Sequence, residues 1–248
     1  MIAIETQNIS KVYGEIKAVD QVSITVNKGE VFSVLGMNGA GKSTLIKMLC
    51  CLIAPTNGKA SVLGYDLIKD ADKVKKVIAV SPQETAIAPN LTVYENLELM
   101  AGIHGFVKIE RKRKVDDMIN LFSLEPLKGK KSKTLSGGWQ RRLSIAMALV
   151  SEPNILFLDE PTLGLDVLAR RGLWEVINKL KNKTTIILTT HYLEEAENLS
   201  DRICILQKGR VKALGTVEEL ISQTHTLSLE DAFIHLIEGE VEDENTNV

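Results

Sequence analysis

A chain of 248 residues, of which 44% are hydrophobic and 25% charged, is long enough to bury a sizeable core and has the composition of a globular protein. Its formal net charge of −2 excludes a basic field for nucleic acid and a general attraction to an anionic membrane. Its three cysteines, two of them adjacent, exclude a disulfide framework and a metal-ligand spacing. Because no apolar run approaches about 18 residues and the N-terminus lacks a signal-peptide pattern, we expect a soluble cytoplasmic protein that reaches a membrane only through a partner.

The start of the chain shows the period-two alternation of strands that bury one face. The alternating apolar residues are Ile2 and Ile4, and then Val22, Ile24 and Val26. Residues 27–30 predict a turn after the second stretch. Tyr13 is expected in the loop between these strands, where its spacing alone favours a half-buried packing residue.

A phosphate-binding pattern, G-x-x-x-x-G-K-[ST], lies between a predicted buried strand at 31–35 and a predicted helix at 45–49. Its residues are Gly36, Met37, Asn38, Gly39, Ala40, Gly41, Lys42, Ser43 and Thr44. The glycines allow successive N–H groups to point into one concavity, and the helix directs its positive dipole end to the same point. We therefore expect a polyphosphate site in which Lys42 reaches the β- and γ-phosphates and the Ser43 hydroxyl coordinates Mg²⁺. The alternative is a glycine-rich turn that fits the pattern by chance, and the flanking strand and helix argue against it.

The middle of the chain changes from predicted strands to predicted helices. Strands are predicted at 59–63 and 77–80. A capping box at Thr92 predicts the start of a helix, and the helical pattern continues to about Leu127. The basic run at 108–114 is either a nucleic-acid patch or a solvated helix face, and the acidic residues mixed into it favour the solvated face.

A glycine pair stands at the entry to the next predicted helix. The segment from Leu135 to Gln140 precedes a helical pattern at 141–150. Ser136, Gly137 and Gly138 at a helix start offer N–H groups to an anion. The same residues are also an ordinary helix entry, so this segment alone leaves both interpretations open.

Polar residues follow two further strands that are predicted to be buried. Asp159 and Glu160 end the strand at 155–158, and two acids there suit a Mg²⁺–phosphate site or simply a strand that ends in solvent. His191 follows the strand at 184–190. A single histidine is usually structural, but the carboxyl end of a parallel strand is where ligands bind in open α/β sheets.

The last part of the chain predicts a hairpin, a helix and a tail. Strands at 202–207 and 210–214 flank a tight turn, and Thr216 begins a second capping box. The segment from Glu238 to Val248 is acidic and carries no basic residue, so we expect it to be disordered.

Five features stand in a fixed order: the phosphate loop, Gln83, Leu135 to Gln140, the strand that ends in Asp159-Glu160, and His191. This order resembles that of the ATP-binding cassette (ABC) ATPases, over about Ile2 to Leu220. The resemblance implies an α/β fold, with a phosphate-loop NTPase core of mixed or parallel sheet and flanking helices, an antiparallel β subdomain, and a helical subdomain inserted at about 84–150. The ATPase domain is expected at 1–222, with a short helical extension and the acidic tail at 223–248.

The resemblance also implies how the nucleotide is bound, with ATP and Mg²⁺ as cofactors. Tyr13 would stack on the adenine, which replaces its interpretation as a packing residue. Gly36 to Thr44 would bind the phosphates, with Ser43 on the Mg²⁺. Ser136, Gly137 and Gly138 would close over the γ-phosphate of an ATP bound to the opposite subunit.

Catalytic roles follow from the same resemblance. Asp159 would hold the Mg²⁺ through water, and Glu160 would be the general base that polarises the attacking water. Gln83 would contact both the Mg²⁺ and that water, and His191 would contact the γ-phosphate. Glu160, His191 and Gln83 are therefore the expected catalytic residues, and Ser43, Gln83 and Asp159 are the expected metal site.

A site shared between subunits makes function depend on a dimer, and we expect two copies of this chain around two ATP molecules. Leu165-Asp166 would lie in the D-loop at the subunit boundary.

Two residues depart from the family pattern. Trp139 replaces the usual glutamine and Val167 the usual proline, and neither change removes a group that binds nucleotide.

Three stretches further resemble ATPases of ABC-2-type exporters: Arg141 to Leu143, Thr189 to Glu197, and Ser228 to Phe233. The leading hypothesis is an exporter ATPase that works with a separate membrane permease, whose coupling helix would dock between Gln83 and about Leu127, with no nucleic-acid partner. One alternative is a soluble cassette ATPase that acts on the ribosome or on nucleic acid. Another is a small-molecule kinase, which leaves the segment from Leu135 to Gln140 without a purpose.

Overall fold

A computed structural model describes residues 1–238, so the predicted acidic tail lies outside the described residues apart from Glu238. Within that range the strands are β1 (Ile2–Tyr13), β2 (Ile16–Val22), β3 (Thr25–Asn27), β4 (Val31–Leu35), β5 (Asn57–Val62), β6 (Tyr65–Asp66), β7 (Ile78–Ser81), β8 (Ile155–Asp159), β9 (Thr185–Thr190), β10 (Arg202–Gln207) and β11 (Arg210–Gly215). The α-helices are α1 (Lys42–Leu49), α2 (Ala71–Val77), α3 (Val93–Ile103), α4 (Lys108–Leu121), α5 (Gly137–Leu149), α6 (Val167–Leu180), α7 (Leu193–Leu199), α8 (Val217–Thr224) and α9 (Leu229–Glu238). Contacts divide the chain into a first unit, residues 1–75 with those from 185 onward, and a second unit, residues 76–184.

An antiparallel sheet of order β2-β1-β5-β6 forms one part of the first unit, and β3 also pairs with β1. Ile4 and Ile9 of β1 are fully buried, whereas Ile2 is 49% exposed, so the period-two burial predicted for Ile2 and Ile4 is wrong at Ile2. The pairing of β1 with β3 is irregular between Ile2 and Ile4. Thr6 fixes the connection that follows β2, because its buried hydroxyl donates to the carbonyl oxygen of Val22 at 3.1 Å and accepts from the N–H of Ile24 at 2.9 Å. This sheet confirms the predicted antiparallel β subdomain.

Tyr13 is the last residue of β1 and not the loop residue that the alternation predicts. It pairs with Ile16, so a two-residue turn joins β1 to β2. Gly14 supplies the positive φ of 58° that such a turn needs. The prediction was wrong because this end of the hairpin is solvated and carries no apolar alternation.

Parallel strands form the other part of the first unit, in the order β11-β10-β4-β9. β10 and β9 both run parallel to β4, and β11 pairs antiparallel with β10 as a hairpin. Every residue of β4 and β9 is buried, which explains why their sequences are apolar or β-branched runs without alternation. Since parallel strands end at one edge of a sheet, the residues that follow β4 and β9 come together.

The C-terminal helices pack beneath this edge. Leu35, the last residue of β4, belongs to a buried cluster that includes Leu220 of α8 and Leu229 of α9. Phe233 of α9 packs against the same cluster. α9 is held further because the side-chain amide of Gln207 donates to the carbonyl oxygen of Ile237 at 3.0 Å.

An ion pair between the buried carboxylate of Asp20 and the exposed side chain of Arg210 links the N-terminal sheet to the C-terminal hairpin. Nε and Nη2 of Arg210 donate to one carboxylate oxygen of Asp20 at 2.9 and 2.7 Å. The backbone N–H of Asp20 also donates to the carbonyl oxygen of Gly209 at 2.8 Å. The hydrogen-bonded Arg210 guanidinium holds the pKa of the Asp20 carboxyl below its ordinary value of 3.8.

Asp20→Asn is expected to destabilise the protein at neutral pH and much less in acid. A pKa that is lowered by folding gives stability above 3.8, and that stability is lost as the pH falls through the folded pKa. The difference in urea midpoint between Asp20→Asn and the parent should therefore be larger at pH 7 than at pH 3. Asp117→Asn, which alters an exposed ion pair with Arg113, is the control and should shift the midpoint little at either pH. Equal shifts for Asp20→Asn at both pH values would contradict the linkage.

The second unit combines two parallel strands with helices. β7 pairs with β8, and Ser81 lies opposite Leu158 at their carboxyl ends. α3 begins with the predicted capping box, in which the Thr92 hydroxyl accepts from the N–H of Glu95 at 3.1 Å. The fully buried Asn96 then ties α3 to the chain on both sides, through the backbone of Ala88 and Thr92 and the hydroxyl of Ser132.

Among the described residues, no helix combines the length and the apolar character needed to cross a membrane.

Candidate functional site

The phosphate loop follows β4 directly and is held by neighbouring backbone. The N–H of Gly36 donates to the carbonyl oxygen of Thr190 at 3.3 Å, and Ala40 accepts from the N–H of Gly209 at 2.9 Å. Gly41 is the N-cap of α1, so the first N–H groups of that helix belong to the loop. The loop is thus a fixed concavity at the positive end of a helix.

Close approach requires glycine at two positions of the loop. A Cβ atom on Gly36 would lie 2.3 Å from the carbonyl oxygen of Leu206, and one on Gly41 would lie 2.3 Å from that of Ala18. Gly41 also has a φ of 104°, and Gly39 has a φ of 82°, both in the region that favours glycine. The spacing of the pattern therefore reflects a backbone path that side chains would block.

Lys42 is buried at the base of the loop, with 6% of its surface exposed. Its ammonium donates to the carbonyl oxygen of Gly36 at 2.7 Å and to that of Met37 at 3.3 Å. A buried cation needs anionic or strongly polar partners, and the loop concentrates them around it. Ser43 follows as the second residue of α1 and is partly buried.

His191 lies beside the start of this loop. Leu35 and Thr190 are partners in the pairing of β4 with β9, so Gly36 and His191 each follow one residue of that pair. The His191 ring packs on Tyr192 with a centroid distance of 4.2 Å. Gly36 and His191 are therefore neighbours in the structure, although 155 positions (191 − 36) separate them in the sequence.

Tyr13 is connected to the loop through β2. Ile16 pairs with Tyr13, and Ala18, two residues further on, contacts Gly41. The Tyr13 side chain is 48% exposed, and Lys11 lies over its ring at 5.2 Å. A half-exposed ring is able to stack on a base, which is the role that the resemblance implies for it.

The second unit gathers the predicted acidic and amide side chains at the ends of β7 and β8. Because Ser81 lies opposite Leu158, Gln83 and the pair Asp159-Glu160 follow neighbouring parallel strands. Gln83 is exposed, Asp159 is partly buried, and Glu160 is 6% exposed. Oxygen ligands grouped in this way suit Mg²⁺ and an attacking water.

Glu160 has a left-handed backbone with a φ of 48°. Such a conformation costs about 1–3 kcal/mol in a residue with a side chain and persists only where the surroundings hold it. Arg141 is one such support, because its Nη2 donates to the carbonyl oxygen of Glu160 at 3.1 Å. The sequence interpretation gave Arg141 no role at the site, although a basic residue on the otherwise buried face of α5 is a signal that could have pointed to it.

The Ser-Gly-Gly segment starts α5 four residues earlier than the helical pattern at 141–150 suggests. Ser136 is the N-cap but its side chain makes no capping hydrogen bond, and both Ser136 and Gly137 are exposed. A Cβ atom on Gly138 would lie 2.9 Å from Cβ of Ala169 and 4.0 Å from Leu165. The exposed helix start therefore lies next to the predicted D-loop.

Within their units, these residues fit a magnesium–nucleotide complex. The first unit offers a glycine-rich loop at a helix start and a buried ammonium, and the second offers paired carboxylates and an exposed helix start. Phosphate oxygens are bound by N–H groups and cations of this kind, and a divalent ion by hydroxyl and carboxylate oxygens. The roles of the individual residues remain predictions.

Comparison with known proteins agrees with this chemistry. Residues 19–163 match the profile of the ABC transporter family. The chain is 42% identical over 221 residues to the daunorubicin/doxorubicin resistance ATP-binding protein DrrA of Streptomyces peucetius, a match that covers 89% of this chain and 67% of that protein. It is 41% identical to the Nod factor export ATP-binding protein I of Rhizobium etli, over 90% of this chain and 71% of that protein.

Solved structures show the same fold. The ATP-binding subunit of an ABC transporter superposes with a TM-score of 0.84 at 33% identity and covers 94% of this chain and 99% of its own. A dimeric cassette in a post-hydrolysis state, bound to ADP and Pi, superposes with a TM-score of 0.77 at 29% identity, over 86% of this chain and 98% of its own. The predicted phosphate-loop NTPase fold is confirmed. The chain belongs to the ABC transporter family, and it is an ATP-binding cassette that hydrolyses ATP with Mg²⁺.

Proposed function

We propose that the chain is the ATPase subunit of an exporter, located at the cytoplasmic face of the membrane, where it works with a separate ABC-2-type permease and a second copy of itself. The observation that carries this proposal is the exposed Ser136 at the start of α5, whose hydroxyl does not cap its own helix. A helix start left open in this way suits a phosphate that another subunit brings to it. The names of the relatives, which refer to drug resistance and to export, favour transport out of the cell.

In this proposal each subunit holds the nucleotide with its first unit. Tyr13 stacks on the adenine, the phosphate loop with Lys42 binds the phosphates, and His191 contacts the γ-phosphate. Ser43 would help to hold the Mg²⁺, which would withdraw charge from the phosphates when bound.

The second unit carries the hydrolytic residues. Glu160 would take the proton of the attacking water, Asp159 would help to hold the Mg²⁺, and Gln83 would orient the attacking water. The product is ADP and phosphate, and loss of the shared γ-phosphate allows the two subunits to separate.

The proposed dimer surface surrounds Ser136. Gly138 packs against Ala169, so α6 begins beside the segment from Ser136 to Gly138. The first two residues of α6, Val167 and Leu168, are 61% and 81% exposed. Exposed aliphatic side chains next to a polar helix start are typical of a surface that a partner covers.

The proposed permease site is a shallow groove on α3 and α4, which we call the coupling groove. It has a volume of about 630 Å³ and is lined by Leu91, Glu95, Glu98, Leu99, Gly102, Ile103 and Arg111. Leu99 and Ile103 are 45% and 68% exposed, and the charged residues of the lining are two glutamates and one arginine. We expect its occupant to be a short cytoplasmic helix of the permease with an apolar face and a basic residue.

Ile103→Glu is expected to remove the permease while leaving the ATPase chemistry intact. A charge at Ile103 would be buried without a partner once the permease helix covers the coupling groove, so it should reduce co-purification of a polytopic membrane protein by at least about tenfold. The measurement is a pull-down from native membranes with mass spectrometry. It uses a Glu160→Gln background held with ATP, and ATPase assays of Ile103→Glu alone accompany it.

The matched control is Ile109→Glu, since Ile109 is 81% exposed on α4 but does not line the coupling groove. This variant should retain the membrane partner. Equal recovery with Ile103→Glu would exclude the coupling groove as the docking site. Recovery of ribosomal or DNA-associated proteins, with no membrane protein, would instead favour a soluble ABC ATPase.

A further inference from the structure

Arg141 is a buried cation that connects three segments of the second unit. It lies in the first half of α5 and is 3% exposed. Its Nη1 donates to the carbonyl oxygen of Pro82 at 2.6 Å, and its Nη2 donates to those of Gln83 at 2.7 Å and Glu160 at 3.1 Å. One guanidinium therefore joins the segment after β7, the segment after β8 and α5 itself.

The geometry suits a guanidinium and few other groups. Its planar fork presents several N–H donors in fixed directions, so Nη1 and Nη2 bind carbonyl oxygens that come from two separate segments. A lysine carries its donors on one nitrogen at the end of a flexible stem and does not reproduce this spread. Hydrogen bonds that a charged group donates are also stronger than those between neutral groups.

Two of the three carbonyl oxygens belong to residues with proposed catalytic roles. Gln83 and Glu160 are the residues whose side chains are proposed to orient and to deprotonate the attacking water. Glu160 has the left-handed backbone with a φ of 48°, which its surroundings have to hold. A hydrogen bond to its carbonyl oxygen fixes the peptide plane that directs its side chain.

Arg141 also stands close to the start of α5. It is five residues after Ser136, the N-cap, which is little more than one helical turn. The side chain of Gln140 ties the same turn to the chain before it, because its Nε2 donates to the carbonyl oxygens of Ser132 and Leu135, each at 3.2 Å. A displacement of this helix start therefore moves the guanidinium, and with it the carbonyl oxygens that it holds.

We propose that Arg141 is a positioning residue that sets Glu160 and Gln83 for hydrolysis and links their placement to the start of α5. The inference rests on the proposed function, because it assigns Arg141 a role through Glu160 and Gln83. The inference adds a path of contacts within one subunit, which runs from the start of α5 to Glu160 and Gln83. Engagement of Ser136 by the partner's nucleotide is transmitted by the Arg141 side chain to the residues that activate water.

The test compares Arg141→Gln and Arg141→Lys with the parent in steady-state hydrolysis by the full-length chain, alongside ATP affinity and Tm. Arg141→Gln should lower kcat by about tenfold to a hundredfold, since misplacement of a catalytic group by about 1 Å has effects of that size. ATP affinity should stay within about twofold, because the loss falls on the transition state. Arg141→Lys should keep the charge but restore only part of kcat.

A buried cation elsewhere in the second unit supplies the matched control. Lys114 is 5% exposed, pairs with Glu152 at 2.7 Å and lies over the Phe106 ring at 4.2 Å. Lys114→Gln should lower Tm and leave kcat per ATP-binding site unchanged. Normalising each rate to the number of ATP-binding sites removes the contribution of unfolded protein, and Arg141→Lys provides the comparison if Arg141→Gln does not fold.

The outcomes separate this inference from the proposed function. A lower Tm with a parental kcat in both Arg141 variants would overturn it, because Arg141 would then only satisfy buried carbonyl groups. An equal loss of kcat in Lys114→Gln would also overturn it. If Glu160→Gln is inactive and Arg141→Gln is not, the positioning role alone fails. If Glu160→Gln turns over at the parental rate, the proposed role of Glu160 fails and the positioning role fails with it.

Discussion

Glu160→Gln is expected to slow ATP hydrolysis by about two to four orders of magnitude, the range for a positioned general base, while ATP binding persists. The amide has nearly the same shape as the carboxylate, so the 6%-exposed site keeps its packing and its left-handed backbone. Glutamine cannot take the proton of the attacking water. Binding persists because the residues that hold the phosphates are not changed. They lie in the loop after β4 and at the start of α1.

The measurement combines phosphate release in single-turnover conditions with equilibrium binding of ATP. A trapped ATP state should accumulate, seen as a dimer by size-exclusion chromatography in the presence of ATP and Mg²⁺. Glu175→Gln changes an exposed glutamate on α6 in the same unit and should leave the rate unaffected. If Glu160→Gln hydrolyses ATP at the parental rate, Glu160 is not the general base.

Lys42→Ala should weaken binding of the nucleotide itself. The Lys42 ammonium is buried against the carbonyl oxygens of Gly36 and Met37 and is placed to reach the phosphates. A hydrogen bond to a charged group contributes about 1.5–3 kcal/mol, so the Kd for ATP should rise by about tenfold to a hundredfold. Hydrolysis at subsaturating ATP should fall at least as far.

Lys47→Ala is the matched control, since Lys47 lies on the same helix α1 and is exposed. It should leave the Kd for ATP unchanged. Isothermal titration with ATP and Mg²⁺ compares the two variants, with Tm as the check on folding. Unchanged affinity in Lys42→Ala would mean that the loop does not bind the phosphates.

Local signals were sufficient for much of the fold. The strand at 31–35 agrees with β4 at both ends, since a fully buried parallel strand has an unbroken apolar run. The capping boxes at Thr92 and Thr216 mark the starts of α3 and α8, because that motif is satisfied within one turn. The phosphate-loop pattern is also readable locally, since its residues lie within nine positions, although the backbone that supports the loop comes from distant segments.

Other features depend on residues that are distant in sequence. Arg141 hydrogen-bonds to carbonyl oxygens of residues 58 and 59 positions before it, and no spacing rule predicts such a contact. The pair formed by Asp20 and Arg210 spans 190 positions. The position of Tyr13 in β1 depended on a turn that is defined by Gly14, in a solvated hairpin that lacks apolar alternation. These parts follow from tertiary packing, which a single sequence does not display.

The backbone support of the phosphate loop determines when the chain becomes able to bind ATP. Gly36 packs on the carbonyl oxygen of Leu206, and Ala40 accepts from the N–H of Gly209. A chain leaving the ribosome with residues 1–200 carries the whole loop pattern but not the hairpin on which the loop rests. We therefore expect the chain to bind ATP only once β10 and β11 have been synthesised.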